Sequence, residues 1–322
     1  MKLRYLFLIM LLIPSLSHAQ RWKRMRYEVV YAAGATNFLG ELGGRNQIGT
    51  DFFNDLEVAS TRYVLNVGMR YKLSQYISIK AGLSYARVAG DDKQTQEPYR
   101  NNRNLHFRSP IVELAAQLEF SWMREQTGSR YKIRRVRGRG KKGSQVYVYG
   151  FVGVAGFYMN PSAKSEIDGE WHSLQPLNTE GQDSEFFPGR TSYSRVQFAI
   201  PFGIGFKYAL DKKSSIGLEY GLRKTFTDYI DDVSTTYVVS KWRGDQYGQY
   251  ADLLGMTPTA AGLSDPSVNQ FPAGLEDINY DGACQSCPGQ QRGDPTDLDS
   301  YMFLLITYNR KIRTSRRGLP KF

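Results

Sequence analysis

The chain has 322 residues, a net charge of +11 at pH 7, 31 glycines and 22 tyrosines, against 3 histidines and 2 cysteines. Beyond the N-terminus no apolar run approaches the roughly 18 residues that a membrane-crossing helix needs, which excludes a helical membrane protein. The glycine and tyrosine content favours a β-rich chain, and the length suits one large β domain or two smaller ones.

The chain opens on Lys2 and Arg4, a short apolar core "YLFLIMLLIPSL", and the small residues Ser17 and Ala19 around His18. This is the pattern of a signal peptide over 1–19, cleaved between Ala19 and Gln20, with the mature domain at 20–322. No cysteine follows the cleavage point, so no lipid anchor is expected. In an exported chain the basic balance does not point first to nucleic acid.

Period-2 alternation then recurs along the chain and predicts eight strands, near 26–36, 61–72, 76–89, 107–123, 145–159, 193–209, 214–226 and 299–310. In the second, Tyr63, Leu65, Val67, Met69 and Tyr71 alternate with Asn66, Gly68, Arg70 and Lys72. In the fourth, Val112, Leu114, Ala116, Leu118 and Phe120 alternate with Glu113, Gln117, Glu119 and Ser121. Short turns at "KLSQY" and "LDKKSS" alternate with long polar loops at about 37–60, 90–106, 160–192 and 227–298. The expected fold is an all-β, eight-stranded antiparallel transmembrane β-barrel with long extracellular loops and short periplasmic turns. Its polar row carries Glu28, Arg70, Lys80, Glu113, Glu119, Lys207, Glu219 and Arg223. Eight strands enclose little more than their own side chains, so these charges should pair into a plug.

The turn at about 124–145 is the exception among the short connections. It carries Arg134, Arg135, Arg137, Arg139, Lys141 and Lys142, on the same periplasmic side as the basic termini. Two readings stand: a charge run facing anionic lipid headgroups, or a docking surface for a periplasmic protein.

Catalysis finds little support. After signal removal only His106 and His172 remain, and no nucleophile elbow, zinc helix or phosphate loop is present. Neither an enzyme, nor a cofactor, nor a small-molecule substrate is expected. In "RKTFTDYIDDVSTTY", Asp228, Asp231 and Asp232 follow a strand. They read as an element that fixes the loop's exit, with Arg223 in the lumen and Phe226 and Tyr229 at the outer interface. "DINYDG" places Asp277, Asn279 and Asp281 at alternate positions of a calcium-type loop, but Pro288 stands where the bidentate Glu belongs, so a metal-free turn is the preferred reading. Cys284 and Cys287 form C-x-x-C, read as a disulfide in an oxidising compartment.

The segments "GATNFLGELGG", "FRSPIVELAAQLEFSW", "FAIPFGIGFKY", "GLRKTFTDYIDDVSTTY", "RGDPTDLDSYMFLLITY" and the terminal "LPKF" occur in order along nearly the whole mature chain. Together they resemble the PorG-type outer-membrane barrel of Bacteroidota. That resemblance implies a non-enzymatic structural component of the type IX secretion or gliding machinery. Its implied partners are outer-membrane lipids and a periplasmic ring of PorK- and PorN-like proteins. A small porin or transporter, or an adhesin or receptor acting through the outer loops, are the alternatives.

Overall fold

In the computed structural model the residues described are 25–42, 60–95, 97–123, 146–211, 213–239, 251–268 and 286–312. Alternating sequence becomes alternating burial. Along β3 (Ile77–Asp91), Ser78, Lys80, Gly82, Ser84 and Ala86 turn inward, while Ile79, Ala81, Leu83 and Tyr85 turn outward. The same two-residue rhythm organises β1 (Tyr27–Leu39), β2 (Arg62–Lys72), β4 (His106–Ser121) and β5 (Val146–Met159). A small hairpin of β6 (Ser162–Lys164) and β7 (Trp171–Ser173) follows, then β8 (Val196–Ala209), β9 (Ser214–Thr225) and β10 (Ser300–Ile312).

All pairings are antiparallel, in the ring β1-β2-β3-β4-β5-β8-β9-β10, and β10 returns to β1 from Tyr27↔Ile312 to Leu39↔Ser300. The eight-stranded antiparallel barrel expected from the sequence is therefore closed, with no free edge to leave backbone groups unpaired. The β6–β7 hairpin joins the loop end of β4 through Arg108↔Ser162.

Two tight turns close by local side-chain bonds. Ser74 Oγ accepts from the Tyr76 and Ile77 amides, and Asp211 Oδ1 accepts from those of Lys213 and Ser214. Glycine matters where strands press together. A Cβ on Gly34 would lie 1.9 Å from the Leu304 carbonyl oxygen, at the β1–β10 closure.

The outward rows are apolar on every side: Leu65, Leu114, Val154, Phe198 and Ile306 are each more than half exposed. An apolar belt of this extent is out of place in water and suits lipid. No helix among the described residues is long and apolar enough to cross a membrane, so the strands are what span it.

The interior changes character along its height. Charged residues fill the end that carries the termini. Towards the long connections the filling is apolar, with Phe38 edge-on to Phe107 at 4.9 Å and Phe157 edge-on to Tyr301 at 5.5 Å. This apolar core continues past the strand ends into Leu42, Leu105, Ile230, Val233 and Tyr193. The long connections thus form a folded cap, which includes α1 (Pro98–Arg103) and α2 (Pro258–Ser264). Glu97 caps α1 by accepting from the Arg100 amide, and Thr257 caps α2 by accepting from the Ala260 amide.

Candidate functional site

The lumen holds one of two sets of buried charges among the described residues. Arg70 is fully buried: Nε donates to Glu119 Oε2 at 2.6 Å, and Nη1 to Glu28 Oε2 at 2.7 Å and Asn309 Oδ1 at 2.9 Å. Lys207 approaches Glu28 to 3.6 Å. Beside this group, Lys80 Nζ donates to both oxygens of Glu219 at 2.7 Å, and the Tyr149 hydroxyl donates to the same carboxylate at 2.8 Å. Nearer the cap, Arg223 pairs with Glu113 at 3.3 Å, stacks 3.9 Å above the Phe303 ring, and shares Glu113 with the Tyr301 hydroxyl.

Each predicted lumen charge is thus inside and paired. Desolvating an unpaired charge is costly, so these partners come as sets. With the apolar core stacked above, the barrel is filled through its height. Tyr149 escaped the sequence reading because β5 turns its aromatic row inward, with Tyr147, Tyr149, Phe151 and Phe157 all buried.

The cap holds a second cluster, around "TDYIDDVSTTY". Asp231 accepts from the Leu42 and Val233 amides, and Asp299 accepts from the Ile230 amide. Asp232 accepts from the hydroxyls of Thr179 and Tyr193. Glu180 accepts from the Ser234 and Thr235 amides and pairs with Arg292 at 2.8 Å. Of the three aspartates expected to fix the loop's exit, Asp231 does so through backbone amides, Asp232 is held by side-chain hydroxyls, and Asp228 accepts no hydrogen bond of normal geometry. Tyr229 differs from expectation: it is not at the outer interface but stacks on Tyr193 at 4.7 Å, packed against the apolar core. Phe226 is exposed, and Arg223 lies in the lumen.

Several of these carboxylates lack counter-charges. Ser234 lies close to Asp228, yet neither Asp228 oxygen accepts a hydrogen bond of normal geometry, and Asp299 Oδ1 and Glu41 Oε2 are also unpartnered. Burial, with Glu41 and Glu180 nearby, pushes Asp228 up to about 8. Burial likewise raises Glu41 to about 7 and Asp232 to about 6. Asp231 and Asp299 are held well above the carboxylate range by burial and by neighbouring carboxylates. Among the described residues no group of three or more His, Cys, Asp or Glu is arranged to hold a metal ion. Protons are the counter-charge this cluster calls for. Glu41, Glu180, Arg292 and Asp299 carry no spacing signal; each lies in a connection or at its end.

His106 lines one small cavity with Asp231 and Arg292, but both histidines bond to other groups. His106 Nε2 accepts from the Lys164 amide, and His172 pairs with Asp168 at 2.8 Å. Cys287 is disulfide-bonded. Cys284, the calcium-type residues Asp277, Asn279 and Asp281, the basic residues Arg134, Arg135, Arg137, Arg139, Lys141 and Lys142, and the cleavage pair Ala19 and Gln20 lie outside the described residues.

A closed barrel with an apolar exterior and a plugged, charge-paired interior is an integral outer-membrane β-barrel protein. Residues 6–241 match the family described as outer membrane protein beta-barrel domain, and the chain belongs to that family and resides in the outer membrane. The chain is similar in fold to Neisserial surface protein A, at 8% identity over 89% of this chain and 96% of that one, with a TM-score of 0.37. It is similar to OprG from Pseudomonas aeruginosa, at 9% identity over 90% and 98%, with a TM-score of 0.36. A third similar structure is Ail of Yersinia pestis, at 8% identity over 89% and 99%, with a TM-score of 0.34. No curated protein matches the chain.

Proposed function

We propose that this protein is a non-conducting, non-enzymatic anchor of a type IX secretion or gliding machinery. It docks a periplasmic ring of PorK- and PorN-like proteins through the basic turn and termini. The observation that carries the reading is the plugged lumen: a barrel filled by Arg70, Lys80 and Arg223 with their carboxylate partners offers a solute no path. What such a barrel can offer is its two ends. Tyr27, Ile312, Ser121 and Val146 stand at the same end of the barrel, so the β4–β5 connection starts and finishes at the end where β1 begins and β10 finishes. The sequence resemblance supplies the partner. With the long connections outward, that end faces the periplasm.

A tagged copy purified from cells should bring down periplasmic ring proteins. Reversing Arg134, Arg135, Arg137 and Arg139 to Glu should abolish the recovery and impair secretion. Unchanged recovery with normal secretion would sink the proposal.

A second reading, a receptor or adhesin, draws on the folded cap, which exposes Ile167, Phe186 and Leu253 beyond the barrel. Deleting 245–290 should then remove surface binding while leaving secretion intact.

A further inference from the structure

The outward row of β3 and β4 does not stay apolar to its top. Above Leu83 and Tyr85 on β3 comes Arg87; above Leu114 and Val112 on β4 come Pro110 and Arg108. The two arginines occupy neighbouring register positions, Arg87↔Pro110 and Ala89↔Arg108, and lie close enough to repel. Like charges side by side on a wall cost free energy unless something between them compensates. Among the described residues no carboxylate pairs with either. The nearby acids have other partners: Asp91 accepts from the Lys93 amide, Asp168 pairs with His172, and Glu166 accepts from Asn104.

The β6–β7 hairpin builds the site's upper lip. Trp171 lies against Arg108, with the guanidinium 3.5 Å from the ring centroid, and His106 meets the same ring edge-on. Stacking on an aromatic face holds a guanidinium in place while leaving its N–H edge free to donate. Lys164, exposed, is the cross-strand partner of Trp171 and adds a third cation. Below, the Tyr63 and Tyr85 rings pair at 6.2 Å, as an interfacial aromatic girdle would.

Height decides what this patch meets. From Ile77 to Arg87, a strand tilted by about 40° climbs roughly 26 Å, which is the thickness of the apolar band, about 25 Å. Arg87 and Arg108 therefore stand at headgroup level on the lipid-facing wall, not in the cap's open water.

We infer that Arg87, Arg108 and Lys164, with Trp171 as a stacking platform, form a binding site for a phosphate-bearing lipid headgroup of the outer leaflet. The site rests on the outward orientation of the long connections adopted above. Guanidinium forks match phosphate oxygens in geometry and charge, and the lipid's chains continue down the apolar row beneath.

The test uses the full chain in detergent and native mass spectrometry, with lipid A carrying both phosphates as one probe and the same lipid stripped of phosphate as the other. Wild-type protein should retain the phosphorylated form about tenfold better, the scale of one charge-assisted contact set. The double substitution Arg87→Gln and Arg108→Gln should erase that preference. Lys224→Gln should not, since that exposed cation on β9 is held by the Leu298 carbonyl. Equal retention of the two lipids by wild type overturns the site, as does an undiminished preference in the double variant. The wild-type comparison needs no variant to fold, and Trp171→Ala, in the hairpin outside the barrel wall, gives a second route to weakened retention. Failure of the ring pull-down would leave these outcomes readable, because the lipid assay contains no partner protein.

Discussion

Arg292 Nη1 meets Glu180 Oε1 at 2.8 Å with both side chains shut off from water, across 112 positions of sequence. The pair is a clasp between two connections. Arg292 Nη1 also donates to the Asp232 carbonyl, and Glu180 takes up the Ser234 and Thr235 amides that would otherwise be buried without partners. Truncating Arg292→Ala leaves Glu180 buried and uncompensated, a loss on the order of 3–5 kcal/mol. Because the barrel is closed independently, that loss should appear as local opening of the cap. Hydrogen exchange over 226–239 should accelerate strongly while the barrel strands keep their protection. Uniform loss of protection across β9 and β10 would show instead that the clasp holds the barrel itself.

The cap's carboxylates predict a pH dependence with a definite sign. Asp228 at about 8, Glu41 at about 7 and Asp232 at about 6 all bind a proton more tightly in the folded cap than in an open chain, where carboxylates titrate near 4. The folded cap is therefore most favoured below about pH 4, and that contribution is lost as pH rises through the folded values. Exchange of the cap amides, corrected for intrinsic rate, should rise between pH 6 and 8.5. Asp228→Asn, which cannot ionise, should flatten the upper part of that rise. A cap better protected at pH 8.5 than at pH 6 would contradict the burial of these groups.

The sequence made the barrel legible because a strand's two faces are written in alternate letters. Glu28, Arg70, Lys80, Glu119 and Glu219 each stand in a row of their own parity, so their inward position followed before any contact was known. The partner of each charge was not legible. Arg70 reaches Asn309 from the far end of the chain, a consequence of β10 pairing with β1. Nor was the apolar upper core, since Phe157 and Tyr301 belong to strands apolar on both faces, where parity gives no signal. The cap was hardest. Its Asp-rich segment announced a turn, but the burial that raises Asp228 and turns Tyr229 inward comes from connections distant in sequence.

The plugged lumen predicts silence in a planar bilayer. Wild-type protein should show no resolved conductance steps. Arg70→Ala should leave Glu28 and Glu119 short of their shared cation and destabilise the barrel by about 3–5 kcal/mol, read as a lower midpoint in urea unfolding from lipid vesicles. It should still not conduct, because the core around Phe38, Phe107 and Phe303 blocks the loop half. Steps in the wild type would refute the plug, and steps in Arg70→Ala alone would refute the core as a second barrier.

Closure of the barrel is most exposed at Gly34. A Cβ there would lie 1.9 Å from the Leu304 carbonyl oxygen and 2.9 Å from the Leu305 Cα, and both are backbone atoms that cannot swing aside. Gly34↔Leu305 sits in the β1–β10 ladder, the last pairing a chain of this topology can complete. Gly34→Ala should therefore push two strands apart at the seam, at a cost of about 1–3 kcal/mol in overpacking. The larger Gly34→Val should shift much of the protein to the unclosed form in the gel assay that separates folded from heat-denatured barrels. Gly156 provides the control: a Cβ added there meets nothing nearer than Phe198 at 3.9 Å. Gly156→Ala should leave the folded band unchanged, and equal damage from the two alanines would show that close approach at the seam is not what Gly34 supplies.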